Sequence, residues 1–345
     1  MKSSYIIGET DISNLRIPKV STELKIIDFL GAVMVRWGFR RDNYIVSPGL
    51  YAVGDPGPES DVFVTSNYKL TFDHVRKNLG GLNGWILVLD TKGVNVWCAA
   101  GKGTFSTNEL VKRIRTHSLE TIVSHRKLIL PQLGATGVAA HKVKEETGFN
   151  VHYGPVRAAD IRKFIAGGYR ADKEMRKVEF GIIERIKLVP NDFMYGKYYL
   201  LGAMLVMLLI SGLSSSGISY RNFSAHGASA LLSVFLAYTA GIVLTPVFLP
   251  YLPGRHFSLK GFIAGMIIFL ILLIFRSAGP GFIESASWLL IIGAISSFTA
   301  MNFTGSSTYT SLSGVKKEMK LFVPLQVSFA LAGVILQVIG KLISQ

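Results

Sequence analysis

The chain has a single cysteine, Cys98, among 345 residues. One thiol excludes an intrachain disulfide framework. It also excludes a zinc or iron–sulfur cluster held by four cysteines of this chain. Acidic residues are scarce: 22 Asp and Glu stand against 37 Lys and Arg, a formal net charge of +15. The basic residues are scattered, with no stripe and no nucleic-acid motif, so no nucleic-acid partner is expected. They suit a domain held beside anionic lipid, with the positive-inside bias of a membrane protein. The opening MKSSYIIGETDISNL has no apolar core of signal-peptide length. The first part of the chain is therefore expected in the cytoplasm, where a free thiol survives.

Charge is also missing from the middles of the long apolar runs that follow Tyr195. The mean hydropathy of +0.38 is too high for an ordinary soluble protein, and the apolar residues gather in the second part. The expected division is a cytoplasmic domain over 1–195 and a transmembrane domain over 196–345. Five runs approach the length that a helix needs to cross a bilayer: 198–213, 228–249, 261–275, 287–303 and 321–340. With the N-terminus inside, the inner loops carry Arg255, Lys260, Lys316, Lys317 and Lys320, the outer segments only Arg221, Arg276 and Lys341. This predicts a multi-pass protein of the inner (cytoplasmic) membrane. Spans without Asp, Glu, Lys or Arg at their centres suit an anchor or docking platform rather than an ion-coupled pump. Gly261 and Gly265 form a small-xxx-small pair for helix packing. The Ser/Thr-rich stretch FTGSSTYTSLSGVKKEMK (303–320) reads as a solvated loop.

Within the first domain, apolar runs and amphipathic stretches alternate. WILVLDT (85–91), KLILP (127–131) and FNVHY (149–153) read as strands. STNELVKRIRTH, opened by a Ser106/Glu109 capping box, GVAAHKVKEETG, stopped by Gly148, and RAADIRKFIAGG read as helices. The alternation predicts βαβ units and a parallel sheet. Ligands then sit beyond the carboxyl ends of the strands, at DTKGVNVWCAAGKG, PQLGATG and YGPVRA. Residues 20–80 read as strands and turns, and VFVTSNYKLTF presents Thr65, Asn67 and Thr71 toward the same crevice.

Cys98 stands in VNVWCAAGKG (94–103). AAGKGT is a fragment of a phosphate-binding loop, but Val96 stands where the first glycine is needed and Gly103 where Ser or Thr is needed, so that reading fails. A nucleophilic thiol needs a base, and His117, His125 and His141 lie in the same domain. A lone cysteine is more often inert and buried. The third reading is one axial bond to a metal already held by a macrocycle. A short helix starting near Asn95, which would cap it, would set its positive end beside the thiol. Ala99, Ala100 and Gly101 would leave room for a flat ring.

The motif VNVWCAAGKGTF resembles the signature of the corrinoid protein of microbial mercury methylation. The segments GLYAVGDPGPESDVFVTSNYKLTFD, ILPQLGATGVAAHKV and VHYGPVRAADI are similar to the corrinoid-binding domain of the large subunit of the corrinoid iron–sulfur protein. MNFTGSSTYTSLSGVKKEM also resembles the membrane tail of the mercury-methylation family. The resemblance implies an α/β Rossmann-like corrinoid-binding domain with a β-rich N-terminal portion, followed by an all-α transmembrane domain of about five helices. It implies a cobalamin-type corrinoid whose cobalt takes Cys98 as lower axial ligand and passes through a methylated form. Asn95, Val96, Trp97, Ala99 and Ala100 would shape the helix that delivers the thiol. Thr65 and Thr71 would contact the corrinoid, with Gln132, Gly134 and Ala135 at the ring edge. His125 and Arg126 precede the second strand and fall at the wrong end of the sheet.

The activity so implied is methyl transfer to Hg(II), forming methylmercury. The methyl donor would be linked to methyl-tetrahydrofolate. The chain lacks cluster cysteines, so reduction would come from a ferredoxin-like partner with two four-iron, four-sulfur clusters. Two other readings share the fold: a corrinoid methyl carrier of acetyl-CoA-type one-carbon metabolism, and a non-catalytic corrinoid-binding membrane sensor or scaffold.

Overall fold

A computed structural model describes residues 4–12, 15–279, 281–306 and 312–343. The chain divides into two units, Met1–Val35 with Phe39–Val178, and Arg36–Gly38 with Glu179–Gln345. The first is a mixed α/β domain and the second is all-helical apart from one two-stranded ribbon.

In the first unit seven strands form one sheet: β1 (Ile6–Ile12), β2 (Leu15–Val20), β3 (Gly49–Val53), β4 (Asp61–Ser66), β5 (Gly84–Leu89), β6 (Lys127–Leu130) and β7 (Asn150–Tyr153). Their order is β1-β2-β3-β5-β4-β6-β7. The strands β5, β4, β6 and β7 are mutually parallel, and β3 pairs antiparallel with β5. The helices are α1 (Ile26–Arg36), α2 (Lys69–Asn78), α3 (Val96–Lys102), α4 (Thr107–Thr116), the single turn α5 (Leu119–Ile122), α6 (Ala140–Thr147) and α7 (Ile161–Ala166).

The central strands read as uninterrupted apolar runs because both sheet faces are covered. Val62, Val64, Trp85, Leu87 and Leu89 pack on one side with Val96, Ala99 and Ala100 of α3, Leu110 and Ile114 of α4, and Val143 of α6. Phe63, Ile86, Val88 and Ile129 pack on the other with Phe72 of α2 and Ile161 and Phe164 of α7. The chain steps from β4 to β5 in one direction. It then crosses back over β4 to reach β6. The ends of β4 and β6 therefore flank the point where the winding reverses, the usual ligand crevice of such sheets.

The strands and helices expected over 85–167 are present, with small shifts in their ends. Ser106 accepts the N–H of Glu109 at 3.3 Å, capping α4. The Glu109 carboxylate does not return to Ser106. It accepts from the Asp90 backbone N–H at 2.8 Å and from Arg113 at 2.6 Å, tying α4 to the end of β5. Gly148 ends α6 with φ of 75°. The expectation of strands and turns over 20–80 needs correction, because α1 and α2 lie there. Both are held by a buried ion cluster that no local pattern reveals. Asp28 meets Lys69 at 2.6 Å and Arg76 at 2.8 Å, and Asp73 meets the same two cations at 2.6 and 2.7 Å.

The second unit contains α8 (Ile182–Ile186), α9 (Val189–Ser211), the ribbon strands β8 (Leu213–Ser214) and β9 (Gly217–Ile218), α10 (Tyr220–Thr239), the short α11 (Thr245–Val247), α12 (Phe257–Ile274), α13 (Phe282–Asn302) and α14 (Leu312–Ile343). Among the described residues five helical stretches are long and apolar enough to cross a membrane: Ile182–Ser211, Tyr220–Val247, Phe257–Ile274, Phe282–Gly305 and Ser313–Ile343. Residue 195, the expected domain boundary, falls inside α9. Hydropathy rises only after the helix has begun with its polar first turn. Gly261 and Gly265 seat α12 closely on α13. A Cβ at Gly265 would come within 3.2 Å of the Ile292 carbonyl, and one at Gly261 within 3.1 Å of the Ser296 carbonyl carbon. The helices extend beyond the runs read from hydropathy and bury charge near their ends. Glu284 faces Lys341 at 3.4 Å, and Glu318 accepts from Ser258 N–H and Oγ at 2.7 and 2.9 Å. Part of the Ser/Thr-rich stretch, residues 307–311, lies outside the described residues.

Candidate functional site at the carboxyl edge of the parallel sheet

Strand β5 ends at Leu89, and the chain needs a tight path from there into α3. Asn67, just beyond β4, supplies it. Its Oδ1 accepts the N–H of Thr91 at 3.1 Å and that of Gly93 at 3.0 Å, and lies 2.8 Å from Thr91 Oγ1. Its own N–H₂ reaches Asp90 at 3.4 Å. Asn67 is thus spent on shaping the loop. The helix then starts at Asn95, whose Oδ1 accepts the Cys98 N–H at 3.0 Å. This satisfies one of the orphan donors of the first turn. Gly103, with φ of 78°, closes the helix.

On α3 the side chains divide by helical spacing. Val96, Ala99 and Ala100 are buried against the sheet, while Trp97, Cys98, Gly101 and Lys102 face outward. Cys98 is exposed. Among the described residues no histidine hydrogen-bonds it. His125 accepts the Lys127 N–H at 3.2 Å and lies 2.9 Å from the Ser60 carbonyl, at the amino ends of β4 and β6. Arg126, whose guanidinium donates to Val123 and His125 carbonyls, lies at that same end. His117 stands beside Gly49, its pKa lowered by burial and by Arg113. His141 is exposed on α6. The arrangement is therefore not a thiol–imidazole pair.

The loop after β6 closes onto α3 and α4. Gln132–Gly134 forms a single 3-10 turn. Gly134 is buried, and a Cβ there would press on the Phe105 ring at 2.6 Å. A Cβ at Gly137 would overlap the Phe105 carbonyl and come within 3.0 Å of Ala100 Cα. Thr107 N–H donates to Gly137 at 3.2 Å, and Tyr153 O–H to Val138 at 2.6 Å, joining the ends of β6 and β7.

Three polar atoms at this edge are buried with no hydrogen-bond partner among the described residues: Thr65 Oγ1, Ser66 Oγ and Gln132 Oε1. Thr65 lies two residues beyond Phe63, which pairs with Ile129 of β6; Gln132 lies three beyond Ile129. They flank the reversal point of the winding. An unpaired buried polar group costs about 1–3 kcal/mol, so each of the three, on either face of the sheet end, is a group that a ligand at this edge could partner.

The expected site residues thus separate. Thr65, Asn95, Trp97, Cys98, Gln132 and Ala135 lie along the carboxyl edge. Thr71 does not extend a strand: β4 stops at Ser66, and Thr71 sits in the first turn of α2, its N–H donating to Tyr68. Val96, Ala99, Ala100 and Gly134 face the interior, so they position the edge rather than line it. Ser66 was missed because it sits in an apolar run, and the role of Asn67 because it depends on a loop 24 residues away. No group of three or more His, Cys, Asp or Glu that could hold a metal ion occurs among the described residues.

Residues 40–165, which span this edge, match the family described as CdhD, CO dehydrogenase/acetyl-CoA synthase delta subunit. The chain is similar to that family over this segment alone. It is also similar to the acetyl-CoA decarbonylase/synthase complex subunit gamma of Archaeoglobus fulgidus, 38% identical over 122 residues, covering 35% of this chain and 26% of the relative. The gamma subunit of Methanopyrus kandleri is 32% identical over 127 residues, covering 36% and 27%. That of Methanocaldococcus jannaschii is 30% identical over 126 residues, covering 36% and 25%. The chain spans about a quarter of the length of these curated relatives. These matches overturn the expectation of a mercury methyltransferase. The relatives are subunits of acetyl-CoA decarbonylase/synthase, and Hg(II) as methyl acceptor falls with that assignment.

Proposed function

We propose that this protein is a membrane-embedded methyl carrier of acetyl-CoA-type one-carbon metabolism, whose first unit is a Rossmann-like domain binding a cobalamin-type corrinoid. The observation that carries this reading is that the matched segment, 40–165, contains the carboxyl edge of the parallel sheet, with the exposed Cys98 on α3 and the unpartnered Thr65, Ser66 and Gln132 side chains at the ends of β4 and β6. The residues fit the group. Cys98 Sγ is free to meet a metal from one side, Asn95 fixes the helix turn that carries it, and Thr65, Ser66 and Gln132 offer unmet polar atoms to the periphery of a large ligand. When bound, the corrinoid would supply a cobalt able to accept and release a methyl group. The chain's own part is to orient the thiol, hold the loop through Asn67, and keep the edge closed by packing Phe105 on Gly134.

In this reading a methyl donor linked to methyl-tetrahydrofolate and a ferredoxin-like electron donor serve the unit from the cytoplasm. By the positive-inside bias, Arg255, Lys260, Lys316, Lys317 and Lys320 would lie on the cytoplasmic side of the membrane. The test is reconstitution of the full chain, in detergent, with hydroxocobalamin. Retention of one equivalent after gel filtration is expected, with an absorption spectrum that changes in Cys98→Ala. Failure of the wild-type chain to retain the corrinoid would overturn the proposal.

A further inference from the structure

Helix α1 leaves one whole face without a partner in its own unit. Its inner stripe is Asp28, Gly31 and Val35, spaced as one helical face. Asp28 is held by Lys69 and Arg76, Gly31 lies against the Tyr44 ring, and Val35 is buried. The outer surface carries Ile26, Ile27, Phe29, Leu30, Val33 and Met34, each between 49 and 78% exposed. Six large apolar side chains facing outward on eleven residues form the kind of contiguous patch that marks an interaction surface.

The charges say what kind of surface it meets. Between Lys25 and Arg41 the only acid is Asp28, and it is turned inward; Lys25, Arg36, Arg40 and Arg41 flank the apolar face. Phe39, beyond the end of the helix, adds an exposed aromatic ring. An apolar face with basic flanks and aromatic residues is the composition of a helix lying in a lipid interface. Basic flanks complement anionic headgroups. The same chain carries five helices long enough to cross a bilayer. Helix α1 also precedes the 40–165 segment shared with the acetyl-CoA-type family.

We propose that α1 lies flat in the headgroup region of the bilayer, its Ile/Leu/Phe face among the acyl chains and its basic flanks at anionic phosphates. The Asp28–Arg76 and Lys69 contacts make α1 and α2 a single body, so lipid contact at α1 restrains the helix that begins just beyond Thr65 and Ser66. This inference stands without the corrinoid reading, since the exposed face of α1 and its basic flanks are no part of the proposed cofactor edge.

The test uses the full chain in nanodiscs containing phosphatidylglycerol, in a Cys98→Ser background that removes the only native thiol. A nitroxide is attached at Leu30→Cys or Val33→Cys, and at Lys112→Cys on the exposed side of α4 as the aqueous reference. Power-saturation EPR then compares collisions with oxygen, which concentrates in acyl chains, and with a water-soluble nickel chelate. The expected oxygen-to-nickel ratio at positions 30 and 33 is severalfold above that at position 112. A ratio equal to that at 112 overturns the proposal by placing α1 in water. Low collision rates with both reagents overturn it by showing protein over the face, either a partner or a second copy. Thermal melting of each labelled variant confirms that it is folded, and the two positions provide independent readings.

Discussion

Asn67 and Thr91 are locked side by side across the ends of β4 and β5: one side-chain oxygen of Asn67 takes both the N–H of Thr91, at 3.1 Å, and its hydroxyl, at 2.8 Å. The same oxygen takes the Gly93 N–H at 3.0 Å. A single amide thus sets the path that carries the chain to Cys98. In Asn67→Ala two backbone donors lose their acceptor, at a cost of about 2–3 kcal/mol in total. Faster hydrogen exchange at Thr91 and Gly93 and a lower melting temperature are expected. Asn67→Asp keeps the acceptor and should recover most of the protection at both amides. If Asn67→Ala leaves exchange unchanged, the clamp is not what shapes the loop.

Cys98 is exposed and its side chain has no hydrogen bond among the described residues, so Cys98→Ala should change stability by no more than about 0.5 kcal/mol. Its spectrum with bound corrinoid should nonetheless differ from that of the wild type. Identical spectra for the two proteins would remove Cys98 as a cobalt ligand, and a large loss of stability would make it a structural residue.

Gly101 and Gly137 should respond oppositely to alanine. A Cβ at Gly101 meets nothing within 4 Å and lies inside α3, where alanine favours the helix by about 1 kcal/mol. A Cβ at Gly137 overlaps the Phe105 carbonyl and crowds Ala100. Gly137→Ala should therefore cost about 1–3 kcal/mol as an overpacked contact and weaken corrinoid retention by moving the β6 loop off α3. Denaturant titration of both variants checks the sign of each change.

The buried cluster of Asp28, Asp73, Lys69 and Arg76 gives the first unit a pH dependence of known sign. Burial pushes the Asp28 carboxyl up, but hydrogen bonds from Lys69, the Lys25 backbone and Arg76 outweigh it and hold its pKa below the usual value. Its contribution is present above about pH 4, the ordinary carboxylate value, and is lost as pH falls through the lowered one. Burial pushes Lys69 down, but hydrogen bonds to Asp28 and Asp73 hold its pKa above the usual value. Its contribution is complete below about pH 10 and is lost as pH rises through the raised value. Melting temperature should therefore be flat from about pH 5 to 9 with respect to this cluster. Breaking a buried pair by removing one partner typically costs about 3–5 kcal/mol. Asp28→Asn should show a loss in that range at pH 7 and a shallower acid limb than the wild type. An acid limb as steep as the wild type's would show that Asp28 does not contribute to it.

The helix α1 was illegible in the sequence for a specific reason. Its apolar residues point outward, so IIDFLGAVMVR carries no polar outer face and does not read as the amphipathic helix of a soluble domain. The first turn of α2 was misread for the opposite reason. VFVTSNYKLTF continues the β-branched pattern of β4 past Ser66, and only the antiparallel bridge of Ile45 to Tyr68 and the ion cluster below it turn the chain into a helix. In the second unit Lys341 is read from the sequence as a charge outside the spans, and Glu284 precedes the apolar run 287–303. Helix ends extend past hydropathy runs, and each group covers the other.

The features legible along the chain are local and periodic. They include the change from mixed to apolar composition, the alternation of strands and helices over 85–167, the Ser106 cap, the Gly148 stop, the close-packing Gly261/Gly265 pair and the Asn95–Cys98 turn. Each depends on residues within a few positions of one another, or on a composition that a bilayer demands. Long-range pairing alone set the crossing of the chain from β5 back over β4 to β6, the hold of Asn67 on the loop before Cys98, and the burial of Thr65, Ser66 and Gln132 polar atoms without partners at the ends of β4 and β6. It alone turned Ala99, Ala100 and Gly134 inward, leaving Cys98 as the exposed thiol. Those arrangements rest on pairings between residues tens of positions apart, and hydrophobic periodicity carries no information about which distant strand a run of apolar residues will join.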